Sequence, residues 1–592
     1  MSLNCLIIAA IFVAVDEPPI QSGAQRFVER AEAELELLSE LVERAKYHKE
    51  IDETDEHIRL HEAAGAIAKK RRVEFVRQAV QFDGQKLPGE ITRKLARMKL
   101  AETLPAPSDP AASRKLSSIV AGIESSYTRA TAGLTQPPSR KKAELYRVMQ
   151  ESRDTKELLE AWSEYNAHAR SFRPQYQEMV KLANDGASEL NYKDVGVLWR
   201  SHYDMAPDEF LKEYERLWSQ IQPLYEALHC HVRAKLREKY GAIVPEKGPI
   251  PAHLLGDMWA QSWTGINSLV TPGDALSAID VTARLREKGY TPYKMVHTGE
   301  GFFMSLGFPR LPSEFWERSL FSQPVGRTVN PQPSAWPIDP KHGDVRLKML
   351  IETNQDDFNT IHHELGHVYY YLACKDQPFL FQDGANPAFH EALGDAVALS
   401  ITPDYLKTIG LLDEVPRADD DLPFLFRTAL EKIPQLATAI VVDMWRWKVF
   451  SGEIPPGNYN AGWWELRRKY QGVSEPIDRT EADFDAGMFF HIANNVPYDR
   501  YFVASILQFD IHRALCEKAG HTGSLHRGSI YGNRAAGESL QRALAHGASQ
   551  PWQDTMYELA GRRNIEASSI VEYFRPVMNW LAKQNEGRTS GW

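Results

Sequence analysis

His363 and His367 stand four residues apart in the segment IHHELGHVYY (361–370), and no other feature of the chain constrains its fold as tightly. A pair at i and i+4 shares one face of an α-helix, one turn apart, where two imidazoles can chelate one ion. Glu364 follows the first histidine and points beside that ion, where a carboxylate can take a proton from metal-bound water. His362 adjoins the motif but lacks the i, i+4 partner, so it is excluded as a ligand. A catalytic zinc site takes three protein ligands and keeps one position open. The segment PAFHEALGD (387–395) offers the third in Glu391, on a second helix facing the first. Asp395, one turn beyond, is placed to orient a ligand imidazole through its other nitrogen. The expectation is a His–His–Glu zinc site with Glu364 as general base.

The rest of the composition narrows the class. The chain has 592 residues, 43% of them hydrophobic, enough for a large core without staples. A net charge of −10 excludes the basic face that nucleic-acid binding needs. The four cysteines, Cys5, Cys230, Cys374 and Cys516, match no CxxC spacing and exclude a dense disulfide framework. Residues 3–15 (LNCLIIAAIFVAV) are too short to span a bilayer and fit the apolar core of a signal peptide. Residues 1–22 are therefore read as an export leader, with a buried N-terminal segment as the alternative. No other segment reads as transmembrane.

Periodicity points to a mainly α protein. Phe27, Ala31, Leu35, Leu38 and Val42 recur at helical spacing, as do Leu60, Ala64 and Ile67, with Lys and Glu on the other faces. Residues 23–100 are read as lid helices on a domain spanning 23–592. Helical patterning returns over 141–184 and 207–240, while Pro-rich stretches at 246–251 and 330–340 act as separators. Strand signals are scarce, the clearest being 345–351. The expected architecture is one large helical domain, two halves around a cleft, with little β-structure.

Several long blocks carry a resemblance. They are PAHLLGDMWAQSW (251–263), IHHELGHVYYYLACKDQP (361–378), GANPAFHEALGDAVALS (384–400), VDMWRWKVFSG (442–452), WWELRRKYQG (463–472) and FHIANNVPYDRYFVASILQF (490–509). In sequence and order they resemble the angiotensin-converting enzyme family of peptidyl dipeptidases. The resemblance implies a helical fold with a deep cleft, release of dipeptides from peptide C-termini, one zinc ion, and chloride as an activator. It places His363, His367 and Glu391 as zinc ligands and Glu364 as base. It makes Tyr501 the oxyanion donor and His491 a substrate-binding helper of the transition state. It assigns Gln261 and Tyr498 to the clamp on the substrate's C-terminal carboxylate, and gives chloride sites at Tyr225 with Arg500 and at Trp463 with Arg467.

The departures cluster on the side that holds the leaving dipeptide. The clamp's lysine is replaced by Phe489. The family's His-Ala-Ser-Ala-Trp becomes Gln332-Pro333-Ser334-Ala335-Trp336, and three pocket phenylalanines align with Gln435, Thr438 and Ser505. Cys516 aligns with a disulfide cysteine whose partner position is Gly528, and a second pair is replaced by Pro331 and Leu350. A lysine facing a carboxylate selects for a free C-terminus. Phe489 therefore predicts altered specificity and tolerance of amidated C-termini, against ordinary drift in a peptidase doing the family's usual work. The reading from another class is a non-catalytic zinc-binding protein. The intact ligands, base and oxyanion donors oppose it. Physiological substrate and oligomeric state are not legible in the residues.

Overall fold

The computed structural model describes residues 23–135, 138–271 and 280–592, apart from the side chain of Asp419. The leader read at 1–22, with Cys5, and one proline of the turn at 137–139 lie outside the described residues. The charged N-terminal stretch folds as three helices, α1 (Gly23–Ile51), α2 (Asp55–Ala79) and α3 (Gly89–Leu100). Thr54 caps α2 by accepting the His57 N–H at 3.2 Å, which sets the turn from α1. Phe27, Val28 and Ala31 of α1 pack on Phe75 and Val76 of α2 and on Ile91, Leu95 and Met98 of α3. This apolar cluster is separate from the main core, which runs from Leu100 to Leu581 without division.

We number only the further elements that frame the site. They are α4 (Lys142–Glu151), α5 (Pro207–Tyr240), β1 (Ser334–Asp339), β2 (Asp344–Lys348), α6 (Gln355–Ala373), α7 (Phe389–Ala398), α8 (Leu422–Phe450) and α9 (Asp499–Lys518). The architecture is mainly α, as the periodicity predicts. The strand expected at 345–351 is β2, and its antiparallel partner β1 falls in the stretch read as a Pro-rich separator. Pro337 is tolerated because a two-stranded ribbon leaves edge positions where a missing N–H costs little. The ribbon lies against α6 on one side and α1 on the other. Tyr47 of α1 packs edge-on against Trp336 of β1 at 5.5 Å and donates to the Arg318 carbonyl at 2.6 Å.

The helix α6 starts at Asn354, whose side chain accepts the Asp357 N–H at 2.7 Å. The facing helix α7 packs on α6, and α9 packs on both α7 and α8. Pro434 sits inside α8 and has no N–H to give to the Leu430 carbonyl. The Trp263 N–H takes that carbonyl instead, at 2.8 Å, and ties the loop carrying Gln261 to α8. Ala260, next to Gln261, holds φ at +56°, a left-handed conformation that costs a non-glycine residue roughly 1–2 kcal/mol. Among the described residues no helix is long and apolar enough to cross a membrane.

Candidate metal centre

The two motif helices meet through glycine. A Cβ on Gly366 would lie 2.8 Å from the Gly394 Cα, and a Cβ on Gly394 would lie 2.8 Å from both the carbonyl oxygen and Nδ1 of His363. Each glycine is three residues beyond a predicted ligand, His363 or Glu391. Without side chains at the crossing, α6 and α7 approach closely enough for side chains of short reach to converge.

They do converge. His363 Nε2 is 3.1 Å from His367 Nε2 and 3.6 Å from Glu391 Oε2, and the three ligand atoms lie within 4.8 Å of one another. Asp395 Oδ1 is 2.9 Å from His363 Nδ1, an arrangement that keeps the Nδ1 proton and leaves Nε2 as the nitrogen a metal would take in place of a proton. Lys432 of α8 stands 3.8 Å from the other Asp395 oxygen. Sequence reasoning missed this lysine, which carries no motif. His362 turns away and bonds the Phe358 carbonyl and the Tyr405 hydroxyl at 2.8 and 2.9 Å, in line with its exclusion.

The electrostatics fit a cation. Burial alone would push the His363 imidazole down, but its hydrogen bonds to Asp395 and Glu391 outweigh burial and hold it up at about 10. Burial and the neighbouring His363 charge push His367 down to about 3. Burial raises Glu364 to about 7, and Glu391 nearby adds to the rise. Three carboxylates thus crowd two imidazoles in a mostly buried space, a donor set that a divalent ion would neutralise and that suits zinc. Glu364 is buried between the histidines, and the Ala335 backbone of β1 lies near enough to its carboxylate to oppose part of that rise. The ribbon therefore borders the base.

Beyond the metal ligands, α9 brings Tyr501 to the same side. Its ring is 5.2 Å from His491 and 4.9 Å from Tyr498, and Glu391 is near enough to act on its hydroxyl. Burial, with Arg446, Arg500 and Lys142 behind it, pushes His491 down to about 3, so that imidazole is neutral.

A family model described as angiotensin-converting enzyme matches residues 19–592. The chain belongs to that family. It is 44% identical to angiotensin-converting enzyme of Rattus norvegicus over 456 residues, covering 76% of this chain and 34% of the relative. The Bos taurus enzyme is 39% identical over 587 residues, covering 97% of this chain and 45% of the relative. That of Theromyzon tessulatum is 42% identical over 451 residues, covering 75% and 72%. The chain thus spans less than half the length of the two mammalian relatives.

Of the positions that the resemblance assigns to the carboxylate clamp, 489 and 498 lie together. Phe489 is buried, with its ring 5.2 Å from Trp259, 5.3 Å from Tyr498 and 5.6 Å from His491. Gln435 lies near enough to the Tyr498 hydroxyl to act on it, a neighbour that sequence reasoning did not assign. Gln261 is held through its N–H, which bonds Asp257 at 3.1 Å. Thr438 is buried and accepts from Gln471 at 2.7 Å, so its hydroxyl serves the framework behind the pocket. Gln332 is exposed and Pro333 partly buried, both just ahead of β1.

One expectation needs correction. Tyr225 and Arg500 do not form a pair. Tyr225 lies inside α5 and donates to the Gln471 carbonyl at 2.6 Å, on the Arg467 side of the molecule. Tyr203, in the turn before α5, is a tyrosine on which both Arg500 and Asp499 act, and its buried hydroxyl has no hydrogen-bond partner among the described residues. Trp463 and Arg467 are together, with the guanidinium 5.9 Å from the indole. Among the described residues, Trp463 Nε1 and Arg467 Nη1 are buried without a hydrogen-bond partner. Cys230, Cys374 and Cys516 are free thiols. A Cβ on Gly528 would lie 2.7 Å from Cys516 Sγ, so the position expected opposite that cysteine is opposite it.

Proposed function

We propose that the chain is a zinc peptidase that cleaves short peptides near the C-terminus, in the manner of a peptidyl dipeptidase. The observation that carries this reading is the convergence of His363, His367 and Glu391 within 4.8 Å, with Glu364 buried between the histidines. Held by those three side chains, zinc supplies Lewis-acid polarisation of the scissile carbonyl. Glu364 takes a proton from the attacking water and returns it to the leaving amine nitrogen. Burial, which raises this carboxyl, makes it a stronger base. Tyr501 and His491 donate hydrogen bonds to the developing oxyanion, a role worth several kcal/mol per donor. Asp395 holds His363 in the ligating tautomer. Gln261, Tyr498 and Phe489 receive the departing dipeptide, with Gln332 and Pro333 at the rim. The separate apolar cluster of α1–α3 supports reading those helices as a cover. The unpartnered Trp463 Nε1 and Arg467 Nη1 support a chloride ion between them.

The test is zinc stoichiometry together with mass-spectrometric profiling of a peptide library. The expected result is one zinc per chain and chelator-sensitive release of C-terminal dipeptides. Stoichiometric zinc with no cleavage would instead support the non-catalytic zinc-binding protein.

A further inference from the structure

Residues 589–592 take no part in the reaction, yet one face of α5 is built to hold them. The buried Arg233 donates to the Thr589 carbonyl at 2.8 Å and to the Gly591 carbonyl, and Cys230 gives its S–H to the same Thr589 carbonyl at 3.4 Å. The Trp592 indole packs 4.9 Å from the His229 ring and 5.8 Å from that of Tyr225. It lies against Gly472, where a Cβ would collide with it. Gly472 also holds φ at +59°, so the close approach and the backbone both call for glycine there.

The groups under this segment fasten the stretch of chain that carries Trp259 and Gln261. The Gly472 carbonyl accepts the Ile250 N–H at 2.8 Å and faces His229 Nε2 at 2.9 Å, beside the parallel pair formed by Ile250–Pro251 and Val473–Ser474. Arg233 reaches from residues 589 and 591 to the Gly248 carbonyl at 3.1 Å, two residues before that pair. The Gln471 carbonyl accepts the Tyr225 hydroxyl at 2.6 Å, and the Gln471 side chain donates to the Trp259 carbonyl at 3.0 Å. Positions 248, 250 and 259 are thus held by Arg233, Gly472 and Gln471. Ala260, between Trp259 and Gln261, is left-handed at φ +56°, a strained conformation that persists only where its surroundings enforce it.

We propose that residues 589–592 are a strap that positions the Trp259–Gln261 loop for substrate. With the strap seated, the loop presents Gln261 in one conformation, and a peptide has little ordering to do on binding. With the strap lifted, Gly472 and Arg233 lose their backing, Ala260 relaxes, and the peptide must re-order the loop. The cost falls on affinity rather than on the chemical step, because α6 and α7 carry the zinc ligands and the base. The proposal rests on the peptidase reading, which makes Gln261 a substrate contact. The protein also carries a reporter for the strap. Cys230 lies under it, whereas Cys374 and Cys516 are buried at α6 and α9.

The experiment compares full-length, zinc-loaded Glu364→Gln protein with and without Trp592→Ala. Labelling by iodoacetamide, mapped by mass spectrometry, reads the strap, and calorimetry with Ala-Phe-Gln-Ala reads the loop. Trp592→Ala should speed labelling of Cys230 by about 10-fold, as for loss of its ring contacts. Cys374 and Cys516 should stay as slow as in the parent. Peptide binding should weaken by about 10-fold, the cost of ordering one or two side chains. Trp592→Phe, which keeps a ring against His229, should restore both readings. With Glu364 in place, the change should fall on KM and leave kcat as it was. A Cys230 that stays protected would overturn the proposal, and so would an exposed Cys230 with unchanged peptide binding. Equal exposure of all three thiols would make Trp592 a support of the whole fold and overturn it too, as would a parent that binds no peptide. Chelator-sensitive cleavage by the wild type is scored separately. Its absence would sink the peptidase reading while labelling and calorimetry still judge the strap.

Discussion

At the scale of single residues, ligand and base sit side by side on α6 and α7 yet should fail in different ways. Glu364→Ala removes a proton acceptor that is not a ligand, so zinc should stay at one per chain while hydrolysis falls below a few per cent of wild type. Glu391→Ala removes one of three ligands, and zinc should be lost on gel filtration. Full zinc occupancy in Glu391→Ala would move the third ligand elsewhere. Tyr501 belongs to another class again. Its hydroxyl is aimed from α9 toward the Glu391 side of the site, so Tyr501→Phe should lower kcat by about 10²- to 10³-fold with little change in KM. An effect confined to KM would make it a binding residue.

At the scale of elements, the crossing of α6 and α7 decides whether the ligands meet, and that crossing depends on Gly366 and Gly394. Gly394→Ala puts a methyl 2.8 Å from His363 Nδ1, in the path of its bond to Asp395. The helices must part or the imidazole must turn. The expected outcome is a loss of about 1–3 kcal/mol of stability together with weaker zinc binding. A Gly394→Ala protein that binds zinc as wild type does would show that the contact is soft. A second element-scale test uses the turn facing α9. Gly528→Cys sets a thiol against Cys516 and should form a disulfide worth about 2–3 kcal/mol for a loop of this size, read as a rise in Tm that reductant abolishes. The ligand helices were legible because i, i+4 spacing is a local signal. The strand β1 was not, because its prolines read as a separator and its pairing with β2 is a tertiary fact. Yet β1 brings the Ala335 backbone beside Glu364. Tyr225 was misassigned for a related reason: one tyrosine precedes α5 and others lie within it, and only the fold brings Tyr203 near Asp499 and Arg500. Lys432 escaped notice because a lone lysine has no pattern, only a neighbourhood.

At the scale of the whole molecule, acid stability is set by imidazoles sealed in the core away from the metal. His229, His253 and His512 are buried, and burial pushes them down to about 3, 4 and 4. Hydrogen bonds from His229 to the Gly472 carbonyl at 2.9 Å and from His512 to the Leu525 carbonyl at 3.3 Å hold them in place without restoring their basicity. In the unfolded chain each would ionise near 6.5. Above that pH both states are neutral and stability is full. As pH falls below 6.5 the unfolded chain takes up protons that the folded core refuses, so the fold loses about 1.4 kcal/mol per pH unit for each such histidine. The loss continues until the folded pKa is reached and then levels off. Melting should therefore move to lower temperature between pH 6.5 and 4 (the window these shifts define). The measurement belongs on Glu391→Ala protein in chelator, so that loss of zinc at acid pH does not enter. His512→Gln should flatten the dependence by one histidine's share. A Tm that holds steady from pH 7 to pH 5 would mean that these rings open to water before the protein melts. The core would then breathe on the side where α9 meets the Leu525 turn.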